Sequence, residues 1–229
     1  MLTPQTIFFA LSGGVLPALL WLWFWLQEDR LHPEPRSVII RTFILGMIAV
    51  PLILPLEQFI QKQYALVPML LVFLLVVTEE IFKLAVAYIS ALESKAYDEP
   101  IDAVIYLITA ALGFAAMENT FFLISSITST GFVPSFVTGN LRFIGATLLH
   151  VLSSGSIGLF IGLSFWKGFI AKKVYLIFGI ALAILLHTVF NLYIMKSAGT
   201  EILIIFCFVW VAILLLIAGL EKVKRLKEL

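Results

Sequence analysis

The 229-residue chain has little charge and a single cysteine. Only 13% of its residues are Asp, Glu, Lys or Arg, whereas 62% are hydrophobic, which excludes an ordinary water-soluble domain and indicates a polytopic membrane protein. The lone cysteine, Cys207, excludes a disulfide within the chain. No basic patch is present of the kind that binds nucleic acid, so we expect the lipid bilayer, and no nucleic acid, as a partner.

Long apolar runs predict an all-α membrane bundle of about seven transmembrane helices, because about 20 apolar residues cross the ~30 Å hydrocarbon core of a bilayer. The predicted spans are residues 5–26, 38–60, 66–92, 101–126, 140–165, 172–196 and 201–220. The first run has no basic residue before it and no small-residue cleavage signature after it, so we expect it to be retained. Residues 1–229 are interpreted as one integral membrane domain.

Lysine and arginine are distributed unevenly between the two sides of this predicted bundle. Those on the richer side are Arg30, Arg36, Arg41, Lys95, Lys167, Lys172, Lys173, Lys222, Lys224, Arg225 and Lys227. Those on the poorer side are Lys62, Arg142 and Lys196. The positive-inside rule therefore predicts a multi-pass cell-membrane protein with its amino terminus outside and its carboxyl terminus in the cytoplasm.

Three glutamates and two histidines lie well inside the predicted spans, in the order Glu79, Glu80, Glu118, His150 and His187. Because a charged group near the bilayer centre costs roughly 2.5 to 3.5 kcal/mol even on lenient insertion scales, five of them indicate a functional site. At about 1.5 Å of rise per residue, all five are expected in one layer ~12–20 Å below the outer surface. Helices three to six would each contribute an acid or a base to it.

The adjacent carboxylates Glu79 and Glu80 cannot both ionise cheaply in a low dielectric. Lys83 lies one helical turn beyond Glu79 and is expected to neutralise it, which leaves one glutamate as a general base. A structural Glu–Lys pair between helices is the alternative reading of these residues. The presence of a second glutamate favours the functional interpretation over the structural one.

Two further pairs are spaced by four residues, His150 with Ser154 and His187 with Asn191, so each pair shares a helix face. An amide or hydroxyl one turn from a histidine can hold water, stabilise a carbonyl oxygen or fix the imidazole tautomer. An interhelical hydrogen bond would explain either histidine taken alone. Together with the acids, the histidines favour catalysis.

Three other intramembrane chemistries do not fit the residues. The chain has no His-Glu-x-x-His segment, and its aspartates lie in or beside loops. Ser154 lies on the same helix as His150, a poor arrangement for a nucleophile and its base. Glutamate and histidine remain, with or without a divalent metal such as zinc. The candidate metal ligands are Glu79, Glu80, Glu118, His150 and His187.

Several motifs between residues 79 and 191 resemble those of PrsW-type intramembrane proteases. They are Glu79-Glu80-x-x-Lys83, Tyr97-Asp98-Glu99-Pro100-x-Asp102, Phe114-x-x-x-Glu118-Asn119, Arg142 with His150, and His187-x-x-x-Asn191. The resemblance implies an endopeptidase that cleaves a single-span membrane protein, such as an anti-sigma factor, near its extracytoplasmic side. It places the catalytic core at about residues 66–196.

PrsW-type proteases are similar in turn to the CAAX prenyl-protease and bacteriocin-immunity superfamily. This second resemblance implies that Glu79 or Glu80 activates water. It also implies that His187 and Asn191 stabilise the oxyanion, and that His150 orients water or binds a metal. Glu79→Gln, Glu80→Gln or His187→Ala would each abolish turnover without loss of folded protein.

The chain departs from that superfamily at two positions. The superfamily usually has arginine one residue beyond Lys83, and histidine where this chain has Glu118. Glu118 is therefore expected to tune the acidity of its neighbours. In the loop before the fourth span, Asp98 is expected to cap the following helix.

Two readings from other classes stay open at this point. Buried Glu and His chains also form proton relays, so a proton-coupled transporter or channel is the second reading. Transporters often contain inverted repeats, and the chain shows no convincing internal repeat. The third reading is a non-catalytic scaffold that binds membrane segments.

Overall fold

The computed structural model describes residues 3–196 and 200–226. Within these ranges it describes every side chain except those of residues 130, 132–144, 195–196, 200–203 and 205. Seven α-helices account for most of this part of the chain. They are α1 (Pro4–Leu26), α2 (Arg36–Tyr64), α3 (Pro68–Ala87), α4 (Asp102–Thr130), α5 (Phe132–Leu163), α6 (Phe169–Lys196) and α7 (Thr200–Lys224). A 3₁₀ turn, Gln27–Asp29, follows α1, and a π-helical turn, Tyr88–Leu92, follows α3. The predicted all-α fold is confirmed.

Six of the helices in the described chain are long and apolar enough to cross a membrane. The exception is α3, which has 20 residues but carries Glu79, Glu80 and Lys83. Lys83 and Glu80 are completely buried, so these charges face the inside of the bundle. The prediction of a multi-pass membrane protein is confirmed, while the start of α5 at Phe132 lies well before the predicted residue 140.

The central helix is α4, which packs against α1, α2 and α5. Its first half is apolar on every side, and Tyr106, Leu107 and Ile108 are all completely buried. A helix that is hydrophobic all round is stable only when other helices surround it. This central position brings Glu118, in the second half of α4, within reach of the helices around it.

Glycines allow the backbones of α2 and α4 to touch where the two helices cross. A Cβ atom added at Gly113 would collide with the carbonyl oxygen of Phe43 and lie 2.9 Å from its carbonyl carbon. One added at Gly46 would collide with the carbonyl oxygen of Ala110. Small residues are the usual means of close helix approach in membranes, where no hydrophobic effect drives helices together.

Gly113→Ala is therefore expected to destabilise the fold by about 1–3 kcal/mol, since the two helices must separate to admit the methyl group. Thermal unfolding of the purified variant in detergent measures the effect. The matched control is Gly168→Ala in the loop before α6, where an added Cβ meets no atom within 4 Å. Equal unfolding midpoints for the two variants would contradict this packing.

Candidate active site

Five of the six residues singled out in the sequence meet in one cluster between four helices. Glu79 and Glu80 come from α3, Glu118 from α4, His150 from α5 and His187 from α6. The two imidazole rings lie edge to face, with centroids 5.1 Å apart. The cluster joins helices that are distant in sequence, as a shared site requires.

Glu80 is the buried hub of this cluster, with a side-chain exposure of 0%. Its Oε1 accepts hydrogen bonds from Lys83 Nζ at 2.7 Å, His187 Nδ1 at 2.8 Å and Ser153 Oγ at 3.1 Å. Its Oε2 accepts from Ser154 Oγ at 2.9 Å. Four donors thus satisfy a carboxylate that has no open path to a substrate.

Lys83 is equally buried and is shared among the acids and one histidine. Its Nζ lies 2.7 Å from Glu80 Oε1, 3.4 Å from Glu79 Oε2 and 2.8 Å from His150 Nδ1. It also lies 4.6 Å from the centre of the Phe114 ring, a cation–π contact. The expected pairing with Glu79 is therefore secondary, because the shorter contact is with Glu80.

Glu79, His150 and His187 present a set of atoms that could hold a metal, all within 4.8 Å of one another. Glu79 Oε2 lies 4.0 Å from His150 Nδ1 and 3.8 Å from His187 Nε2. The other nitrogen of each imidazole contacts a carboxylate at 2.8 Å. His187 Nδ1 contacts Glu80 Oε1, and His150 Nε2 contacts Glu118 Oε2. A carboxylate behind each imidazole is the usual support of a histidine ligand.

The donor set therefore fits a divalent metal such as zinc, which binds imidazole nitrogen and carboxylate oxygen. A carboxylate accepts the proton of one nitrogen in each ring, which leaves a lone pair on His150 Nδ1 and another on His187 Nε2. Lys83 Nζ already contacts His150 Nδ1. Metal binding through that atom requires the ammonium group to withdraw towards Glu80.

Access to the cluster is uneven. The side chain of Glu118 is 30% exposed and that of Glu79 is 14% exposed, whereas both histidines are 3% exposed. Glu118 is thus the most open of the three carboxylates. Of the cluster's acids, it is the one best placed to exchange protons with water.

Asn191 is the one predicted site residue that stays apart. It lies one turn beyond His187 on α6 and is partly buried, and no hydrogen bond joins it to the cluster within the described side chains. Ser154, expected to act with His150, donates to Glu80 instead. The side chain of Arg142 lies outside the described residues.

Sequence reasoning missed two features of the cluster, the central position of Lys83 and the paired serines behind Glu80. From the sequence, Ser154 is a candidate partner of His150 or a nucleophile, and neither serine is predicted to contact Glu80. The available signal was their spacing from His150, since hydroxyls three and four residues along the same helix line one side of a buried layer. They supply the hydrogen bonds that a buried carboxylate needs.

Comparisons with known proteins point to one family. The PrsW family intramembrane metalloprotease model matches residues 34–218. The chain is 30% identical to Protease PrsW of Oceanobacillus iheyensis over 220 residues, which cover 95% of the chain and 96% of that protein. It is 24% identical to Protease PrsW of Halalkalibacterium halodurans over 230 residues, covering 97% and 99%.

Protease PrsW of Bacillus subtilis is 25% identical over 183 residues, which cover 79% of the chain and 80% of that protein. No solved structure matches the chain. The family predicted from the motifs is confirmed, and with it the peptidase class. The chain belongs to the PrsW family of intramembrane metalloproteases.

Proposed function

We propose that the chain is an intramembrane endopeptidase whose metal centre is formed by Glu79, His150 and His187. The observation that carries this proposal is the convergence of their three donor atoms within 4.8 Å inside the bundle. The carboxylates of Glu80 and Glu118, each bonded to the far nitrogen of one imidazole, support it. Family membership supports peptide hydrolysis as the reaction.

A bound divalent metal such as zinc would act as a Lewis acid that acidifies water and polarises the scissile carbonyl. The chain's own residues prepare that site. Glu80 keeps His187 protonated on Nδ1, and Glu118 keeps His150 protonated on Nε2, so both rings turn a lone pair towards Glu79. Burial of Glu80 and of both histidines keeps bulk water from that part of the cluster and strengthens the charge interactions there.

Glu118 is assigned the proton transfer, because it is the most exposed carboxylate of the cluster. Since its Oε2 contacts the far nitrogen of His150, it acts on the attacking water through one intervening water. It accepts a proton from water as the hydroxyl adds to the carbonyl carbon. It then delivers that proton to the amide nitrogen as the C–N bond breaks. With His187 assigned to the metal, the oxyanion role passes to Asn191, one turn further along α6.

The substrate is proposed to be a single-span membrane protein, such as an anti-sigma factor, cut near its extracytoplasmic side. The depth of the layer and the loop charges support this placement, with the amino terminus outside and the carboxyl terminus in the cytoplasm. Glu79 and Glu118, the two partly exposed carboxylates of the layer, are the ones that a substrate backbone would reach.

Terminus-selective mass spectrometry of membranes tests the function in cells that express the wild type or Glu79→Gln at matched levels. New termini in the outer half of single-span proteins should appear with the wild type and be absent with Glu79→Gln. Glu221→Gln, a surface change of the same chemistry on α7, should match the wild type. Identical fragment sets in all three strains would instead point to transport or scaffolding.

A further inference from the structure

A second group of carboxylates lies at the other end of α4 from the active site. One oxygen from each of Asp29, Glu34 and Asp102 lies within 4.8 Å of the others. Asp102 begins α4, sixteen residues before Glu118, so about 24 Å of helix separates the two clusters. No part of the proposed hydrolysis uses these acids.

The three acids come from segments that are far apart in sequence. Asp29 ends the 3₁₀ turn after α1, Glu34 lies in the connection to α2, and Asp102 starts α4. Asp102 Oδ2 accepts hydrogen bonds from the backbone N–H groups of Asp98 at 2.9 Å and Glu99 at 2.7 Å. The expectation that Asp98 caps this helix is wrong, because the carboxylate that takes up the loop amides belongs to Asp102.

Two of the three acids are buried, and one buried carboxylate oxygen lacks a partner among the described residues. Asp102 is 1% exposed and Asp29 is 6% exposed. The Tyr106 hydroxyl donates to Glu34 Oε2. Asp29 Oδ2 is buried with no hydrogen-bond partner among the described residues. A buried carboxylate oxygen without a partner is costly, so its position indicates a ligand that these atoms share.

Two basic side chains near the cluster form ion pairs with other acids. His32 pairs with Glu99 at 2.8 Å, and Lys224 pairs with Glu28 at 2.7 Å. Burial, with the hydrogen bond to Asp102 as the second cause, raises the pKa of Glu34 to about 9. Three acids in this setting need a shared proton or a bound cation to coexist.

A cavity of about 720 Å³ gives access to this cluster. Asp29 and Glu34 line it, together with Arg30, Pro33 and Arg36. It is large enough for a hydrated ion to enter. The two arginines form no ion pair with the acids within the described residues, so they leave the carboxylate oxygens available.

We infer that Asp29, Glu34 and Asp102 form a second cation site that takes a hard divalent ion such as Mn²⁺, Mg²⁺ or Ca²⁺. Three carboxylates with no nitrogen or sulfur donor among them suit such oxygen-seeking ions and not zinc. The ion would tie the connection between α1 and α2 to the start of the central helix. The inference does not depend on the proposed peptidase activity.

Binding of Mn²⁺, followed by electron paramagnetic resonance, tests the site on the purified full-length chain after chelation. Glu79→Gln serves as the host, because it lacks an active-site ligand and leaves only the second site to report. One Mn²⁺ per chain is expected, and adding Asp29→Asn or Glu34→Gln should weaken binding by at least about tenfold. Glu93→Gln, a change at an exposed carboxylate after the π-helical turn, should bind as before in the same host.

The outcomes separate a cation from a shared proton. In the Glu79→Gln host, added Mn²⁺ should raise the thermal unfolding midpoint. Loss of this rise when Asp29→Asn or Glu34→Gln is added would support the site. No Mn²⁺ binding in the host, or unchanged binding in both variants, would overturn it and leave carboxyls that share protons. Neither readout uses cleavage, so failure here leaves the peptidase proposal standing.

Discussion

Glu118→Gln is expected to lose cleavage while it keeps the bound metal, whereas Glu79→Gln is expected to lose both. A glutamine at position 118 still offers a carbonyl oxygen to His150 Nε2, now 2.8 Å from the carboxylate, so the imidazole keeps its tautomer. It cannot accept a proton from water. The rate should fall by about a hundred- to ten-thousandfold, the usual contribution of a general base.

Glu79→Gln acts differently because it removes one of three donor atoms. An amide oxygen is a weaker ligand than a carboxylate, and the site loses the negative charge that faces both imidazoles. Metal per chain, measured by mass spectrometry of the purified protein, and cleavage should fall together. Glu221→Gln is the control for both quantities. Loss of metal in Glu118→Gln with retention in Glu79→Gln would contradict these roles.

Glu80→Gln is expected to lose stability first, with loss of activity as a consequence. This replaces the sequence-based expectation that the variant is inactive but folded, because Glu80 forms a buried ion pair with Lys83. The change leaves the Lys83 ammonium buried with its 2.7 Å partner neutralised and only the 3.4 Å contact to Glu79 in place. Breaking one side of a buried ion pair costs about 3–5 kcal/mol. The four donors around Glu80 make this position a structural support for His187 and place it away from the substrate.

A double variant separates this effect from general damage to the core. Glu80→Gln/Lys83→Met removes both charges, and neutral replacements of buried pairs are often well tolerated. Its thermal unfolding midpoint in detergent should recover much of the loss seen in Glu80→Gln alone. If the two single losses simply add, the Lys83–Glu80 pair is not the source of the stability.

Much of the fold follows from composition, since a helix satisfies its own backbone hydrogen bonds inside a bilayer and each apolar run has the length of one helical span. That Glu118, His150 and His187 lie at one level of the bundle was also predictable, because the rise per residue along a helix is constant. The rotation of each helix about its own axis could not be predicted in the same way. The sequence alone could not decide whether Glu79 or Glu80 faces the open side, because that depends on how α3 packs.

The carboxylate group at the far end of α4 shows a different limit. Asp29 and Glu34 lie in a connection without periodicity, and Asp102 lies far along the chain. Nothing local in the sequence relates these positions, because only the packing of α1 beside α4 brings them together. Helix α5 begins at Phe132, eight residues before the predicted span 140–165, because a helix can extend beyond the apolar run that marks a span.

The most direct test of the account measures cleavage by the purified chain in lipid nanodiscs before chelation, after chelation and after zinc is restored. The substrate is a single-span protein whose fragments depend on the wild type in cells. The account predicts that cleavage disappears with the metal, returns with about one zinc per chain, and never returns in Glu79→Gln or His187→Ala. Cleavage that persists in the metal-free wild type, or in either variant, would contradict it.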